Sequence, residues 1–421
     1  MQNLASFDAL LKDVYRGPIV ELLNQELYMI TWVQQQSVND LGTFTGRRFI
    51  FPVHTGRNRG RGATTDGGAL VKGGQQSALD GIEGPKYLNQ GIELSDMVIQ
   101  QSKSDEGAFV RALEFEMNGA MQDMRKDASR MAYGTGDGLL ATCAAGGPAT
   151  TFSVDNGQYI AVGDTIDLID KGTGTPVASG TGLVVTGVAY TGTAGSATQA
   201  NATITTAQSV TVTATTGVYL AGDRNNESNG LRNICSTART LHNINSVTNP
   251  IWDGNVLNAG QANPAEDTFM QLAQRARQRG SQPVERFVTT LGVQRRLANT
   301  YQSAKRFNDA HAQEIDGGYS AINVAAGNTP VPVVSDVDAV NGTAFGLNSG
   351  SLSWAQVGPP DWLEAPDGQG SVLHLKDGSS AGTKVAVWQA WIMWYAQLIC
   401  VAPNRNGMIT NINDDIPVAR V

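Results

Sequence analysis

The side chains able to do chemistry are scattered along the chain. His54, His242, His311 and His374 stand alone, with no second His or Cys at metal-ligand spacing. Cys143, Cys235 and Cys400 are an odd number without a C-x-x-C pair, which reads as reduced thiols in a cytosolic setting. The phosphate loop G-x-x-x-x-G-K-[ST] does not occur. Gly134-Thr-Gly136-Asp-Gly138 follows a helical pattern instead of a strand, so its glycines read as a helix stop and not as a dinucleotide fingerprint. Asp164, Asp167 and Asp170 fall in a strand-like stretch that sets Asp167 on the opposite face from the other two. No catalytic, cofactor-binding or metal-binding residues are expected, and the chain does not read as an enzyme.

One cluster does suggest binding. Arg47, Arg48, Arg57, Arg59 and Arg61 lie in a stretch without an acid between Thr45 and Gly62. Arg57, Arg59 and Arg61 alternate with Asn58 and Gly60, so an extended chain would point all three to one side. Guanidinium groups in a row suit carboxylates on a neighbouring surface, because each can pair bidentately.

This cluster sits in a long hairpin. Phe49 to Val53 and Ile92 to Ile99 read as strands, and the nearly forty residues between them far exceed an ordinary connection of about two to six. Before it, Leu4 to Val14 and Leu22 to Val33 carry two helical patterns broken at Gly17-Pro18. After it comes the strongest periodic signal, Val110, Leu113, Met117, Met121, Met124, Ala128 and Met131 in steps of three and four. Ser102 or Ser104 would cap this helix, and ~28 residues at 1.5 Å each make it roughly 40 Å long. Met117 and Met121 are expected to be buried against a sheet.

Residues 150–222 hold 17 Thr and 11 Gly with five charged residues, and short β-branched runs alternate with turn residues. This predicts a small barrel or sandwich. Further on, Asn263-Pro264-Ala265-Glu266 predicts a capped helix start with Pro in the first position and Phe269, Leu272, Ala273 and Ala276 on its inner face. Strands follow at 285–289, 331–334, 344–347 and 352–354, with a second helix around 292–307. The apolar stretch 385–402 is 18 residues long, the minimum for a membrane span, but Gln389 and Gln397 interrupt it. It reads as a buried strand with Trp388, Ile392, Trp394, Leu398 and Cys400 on one face and both Gln on the other, half-covered face. Residues 367–383 read as a second hairpin tip.

Composition agrees with a packed protein. Of 421 residues 16% are charged, against about 25% in ordinary domains, and 48 are Gly. The net charge of −8 excludes a dedicated nucleic-acid binder acting through overall positive charge.

Taken in order, a helical arm, a basic hairpin, a long spine helix, a mixed α/β region and a terminal long strand resemble the major capsid proteins of tailed bacteriophages, whose shell fold is the Hong Kong 97 type. Met131-Ala-Tyr-Gly-Thr-Gly-Asp-Gly138, Asn229-Gly-Leu-Arg-Asn-Ile234, Pro330-Val-Pro-Val-Val-Ser-Asp336 and Leu398-Ile-Cys-Val-Ala-Pro403 are also similar to family phrases. The resemblance implies an α+β chain with an N-arm at 1–45, an E-loop at 46–101 and a spine in the peripheral domain at 102–149. It implies an inserted all-β domain at 150–228, a mainly axial domain at 229–350 and a return to the peripheral sheet at 351–421. The implied function is structural: hexamers and pentamers forming an icosahedral head shell around double-stranded DNA, which the inner face contacts non-specifically. The implied setting is the virion, assembled in the bacterial cytoplasm without a membrane. No long charged leader precedes the arm, so the expectation is a separate scaffolding protein, a portal protein and, as in some members, a decoration protein. The opening Met1 suggests no N-terminal trimming. Arg57, Arg59, Arg61, Lys72 and Lys86 are the expected intersubunit contacts. Some members join a loop Lys to a neighbour's Asn, and no motif here marks such an Asn. The rival reading is a β-rich tail-fibre or adhesin-like protein, suggested by residues 150–222.

Overall fold

A computed structural model describes residues 28–33, 35–37, 47–101, 112–302, 322–326, 329–364, 372–377 and 383–415. The chain divides into two compact units. One comprises Met1–Glu26, Asn89–Met124 and Trp362–Met393, and the other holds the rest.

Strand Lys86–Ser95, which belongs to the smaller unit from Asn89 on, leads into helix Asp96–Gln101. The expected strand 92–99 is thus corrected: it ends at Ser95, whose hydroxyl accepts the Val98 N–H at 3.4 Å. A short apolar run concealed a helix cap, with Asp96 in the first turn where the helix dipole favours an acid. The core gathers Ile92, Ala120 and Ala390 with Met117, Trp362 and Leu373 packed on them. Around it Glu93 takes hydrogen bonds from Lys376 Nζ at 2.7 Å and from Gln389, and Trp388 donates its indole N–H to Asp96 at 2.9 Å.

The long helix is described over Ala112–Ala132, 21 residues, and its expected cap at Ser102 or Ser104 lies outside the described residues. Met117 and Met121 are half-buried, not buried as expected. The deeper stripe is Ala120, Met124, Ala128 and Met131, one step round the same face. Within the larger unit the end of this helix is tied by ionic groups. Arg130 pairs with Glu227 at 2.7 Å, Lys126 with Asp338 at 2.9 Å, and the Tyr133 hydroxyl donates to Asp336 at 2.6 Å.

Residues 141–220 form a six-stranded sheet in the order Ala141–Thr142, Thr216–Leu220, Thr165–Asp170, Leu183–Tyr190, Ala202–Val212 and Gly146–Val154. Its first and last strands meet through a bridge between Cys143 and Val154, with Ala144 N–H donating to Ser153 and Asp155 N–H to Thr142. The sheet therefore closes into a barrel. Phe152, Val154, Ile166, Leu168, Leu183, Val185 and Ile204 fill it. Alternation drives this, since a strand such as Leu183–Tyr190 buries Leu183 and Val185 and exposes Val184 and Thr186.

A second six-stranded sheet runs in the order Asn255–Ala262, Gly407–Ile412, Ala344–Leu347, Arg286–Thr289, Thr329–Ser335 and Ile322–Ala326. Helices Glu266–Gly280 and Leu291–Gln302 pack on it. Phe269, Leu272, Ala273 and Ala276 are buried, and Phe269 meets Phe287 edge to face at 5.1 Å. The helix starts at Glu266, so Pro264 is not its first residue, correcting the expected cap. Asn263 is engaged elsewhere, its Oδ1 accepting from Arg296 at 2.7 Å.

The terminal strand Lys384–Cys400 pairs antiparallel with Leu352–Gln356, which pairs in parallel with Gln35–Ser37. Ala390, Ile392, Trp394, Ala396 and Leu398 form its buried face, and Trp394 stacks on Trp354 at 5.5 Å. Gln397, expected on a half-covered face, is fully buried and accepts the Asn229 N–H at 2.9 Å. Among the described residues no helix is long and apolar enough to cross a membrane. The expected second hairpin tip, 367–383, lies mostly outside the described residues.

Candidate functional site

The basic hairpin is built on strands Phe49–Gly56 and Ser77–Glu83, paired antiparallel from Phe49 opposite Glu83 to His54 opposite Ala78, with a register shift before Gly56 opposite Ser77. Phe49 and Phe51 are buried and anchor its base. Gly81 lies beneath the Phe51 ring, where a Cβ would come within 2.5 Å of the ring carbons. Ile82 N–H donates to the His242 carbonyl at 2.9 Å, and His242 Nδ1 lies 2.9 Å from Glu83 Oε2. Asn229 also donates to that oxygen, at 3.2 Å. Burial pushes the Glu83 carboxyl up, but its hydrogen bond with His242 outweighs it, with help from the Lys86 charge, leaving the group below its ordinary value.

Residues 57–76 form the tip, and Arg57, Arg59, Arg61 and Lys72 are all exposed on it. The arginines do not form a straight row. Arg61 N–H donates to the Arg59 carbonyl at 2.9 Å and Gly60 N–H to Asn58 Oδ1 at 2.7 Å, so the chain turns at Gly60. The one-sided extended row is corrected accordingly: a local turn overrides the alternation. Gly60 and Gly74 face each other, and a Cβ on either would come within 2.7 Å of the other's amide nitrogen. Gln76 ties the neck, its Oε1 accepting from Asn58 N–H at 3.1 Å and contacting His54 Nε2 at 2.8 Å. At the far end Leu70 is 91% exposed, with Val71 beside it. Leu70 escaped the sequence reading because an isolated Leu among glycines has no periodicity.

Lys86 differs from the others. It is half-buried at the hairpin's root and donates to the Asn225 carbonyl at 2.6 Å.

Elsewhere the reactive side chains serve the fold. Asp164, Asp167 and Asp170 each accept backbone N–H groups, from Ala161, from Gly182 and Gly222, and from Gly172 and Thr173. The three thiols are buried; burial pushes Cys143 up to about 12 and Cys400 up to about 11, and raises Cys235 as well. Among the described residues no group of three or more His, Cys, Asp and Glu gathers, and His311 lies outside them. Gly378-Ser-Ser-Ala-Gly382 has nucleophile-elbow spacing, which the sequence reading missed. It lies outside the described residues.

No protein-family profile and no curated protein sequence matches the chain. Solved structures do. The capsid asymmetric unit of cyanophage A-1(L) superposes with a TM-score of 0.59 at 13% identity, covering 98% of this chain and 100% of that one. The capsid of the native GTA particle superposes with a TM-score of 0.50 at 9% identity, covering 98% and 99%.

The fold is that of phage capsid proteins.

The resemblance read from the order of elements therefore holds at the level of the fold, and it spans the capsid chain end to end. On this fold the residues of the basic tip are exposed, while Lys86 donates to the Asn225 carbonyl.

Proposed function

We propose that this chain is the major capsid protein of a tailed phage, with a Hong Kong 97-type fold, assembling into hexamers and pentamers of an icosahedral shell around double-stranded DNA. The carrying observation is the superposition on a capsid chain over 98% of this chain and 100% of that one, which leaves no large part of either unmatched. In this reading residues 46–101 are the E-loop, 102–149 the spine and 150–228 an inserted domain on the outer surface. Residues 229–350 are mainly the axial domain. Arg57, Arg59, Arg61 and Lys72 contact neighbouring subunits, and Leu70 adds an apolar contact at the tip. Scaffolding and portal proteins are separate chains, and DNA is met non-specifically on the inner face.

Negative-stain microscopy of the purified full chain tests this. Closed polyhedral shells are expected, whereas rods or isolated trimers would replace the reading with a fibre.

A further inference from the structure

The base of the hairpin holds a buried imidazole with both nitrogens committed. Cys400 N–H donates to His242 Nε2 at 3.1 Å, so that nitrogen carries no proton. The neutral ring then bears its hydrogen on Nδ1 and donates to Glu83 Oε2 at 2.9 Å. His242 is 1% exposed and takes φ 51°, followed by Asn243 at φ 64°, in the two-residue turn joining Thr240–Leu241 to Ile244–Asn245. Phe51 and Trp252 close on the ring edgewise, at 5.5 and 6.4 Å. One side chain thus joins the hairpin, this turn and the end of strand Lys384–Cys400.

We propose that His242 is a proton-operated latch: a second ring proton releases the turn from Cys400 while leaving it fastened to the hairpin. A proton on Nε2 would set two N–H donors against each other across 3.1 Å, and the Cys400 contact must open. The Glu83 contact strengthens instead, because an imidazolium donates to a carboxylate with charge assistance.

The surrounding groups share this asymmetry. On the hairpin side stands the Glu83 carboxylate, held below its ordinary value, with Lys86 next to it. On the strand and helix sides stand the Cys400 and Cys235 thiols, both pushed up by burial and so neutral. Arg239 on the same turn is committed to the carbonyls of Asn233, Ile234 and Trp252, with Asp253 at 3.9 Å. The latched form binds one proton fewer than the open one, so latching strengthens as pH rises.

Amide hydrogen exchange on the full chain, corrected for intrinsic rates, tests this at about pH 7.5 and about pH 5. Protection at Cys400 should fall roughly tenfold or more at the lower pH. Protection of Ile82 N–H, which donates to the His242 carbonyl, should hold. Ring ¹⁵N shifts at the higher pH should report the Nδ1–H tautomer. His242→Phe keeps a ring and removes both nitrogens, and should leave Cys400 weakly protected at both pH values. Equal wild-type protection of Cys400 at both pH values, or an Nε2–H tautomer at the higher one, overturns the latch. Both readouts use wild-type protein, so they decide even if the variant fails to fold.

Discussion

At the scale of single residues, the largest penalties attach to groups removed from water. Met124 is 3% exposed on the inner stripe of the long helix. Met124→Asp buries an unpaired carboxylate there and should cost more than about 4 kcal/mol, enough to abolish soluble folded protein by circular dichroism. The half-buried Met121 should tolerate the same change better. Arg130→Ala strips the partner from Glu227, a carboxylate whose side chain is 3% exposed, and should cost roughly 3–5 kcal/mol in denaturant unfolding. Asp170 offers a pH test. Hydrogen bonds from the Thr215 hydroxyl and from the backbone and side chain of Thr173 hold its carboxyl down at about 2. Its folded value lies below its unfolded one, so its contribution is present above the ordinary carboxylate range and is lost as pH falls through about 2. Asp170→Asn should lower the melting temperature near neutral pH and converge with wild type toward that lower limit.

At the scale of elements, closure of the barrel rests on few bonds. Ala144→Pro deletes the N–H that donates to Ser153 at 2.8 Å beside the Cys143–Val154 bridge. A loss of at least about 1 kcal/mol is expected, with faster amide exchange at Asp155, whose N–H makes the other closing bond. The same element shows what a linear reading can reach. The strands around Val184, Ile204 and Val210 were legible because alternation is local, whereas the barrel also needs Ala141–Thr142 paired with Thr216–Leu220 and Gly146–Val154 paired with Ala202–Val212, partners far apart in the sequence. Helix Glu266–Gly280 was legible from the spacing of Phe269, Leu272, Ala273 and Ala276, and its start was misplaced because Asn263 prefers Arg296 to the helix end. Helix Asp96–Gln101 was hidden because six residues are too few to show a period. His242 was invisible as a junction: an isolated His carries no pattern, and its partners Glu83 and Cys400 are far away in sequence.

At the scale of the whole molecule, the contact role proposed for the hairpin tip rests on repetition. Exposed ion pairs contribute only about 0–1 kcal/mol each, so no single arginine would hold an assembly. A contact repeated on every subunit makes such small contributions collective. Replacing Arg57, Arg59 and Arg61 together by Ala should leave the subunit folded, because all three side chains are exposed. Assembly followed by light scattering should weaken, with the deficit largest at low ionic strength and shrinking as salt screens the wild-type contacts. Unchanged assembly at low salt would remove these arginines from the interface.

The closed barrel matters most in a crowd. A sheet with a free border can recruit any similar border it meets, and one weak recruitment is harmless when copies are dilute. Fixed side by side on a common support, many such borders would act like the teeth of a zipper, and two supports would cling although no pair of teeth held firmly. Joining residue 143 to residue 154 takes away part of that border, so copies of this module brought close together would offer one another fewer teeth.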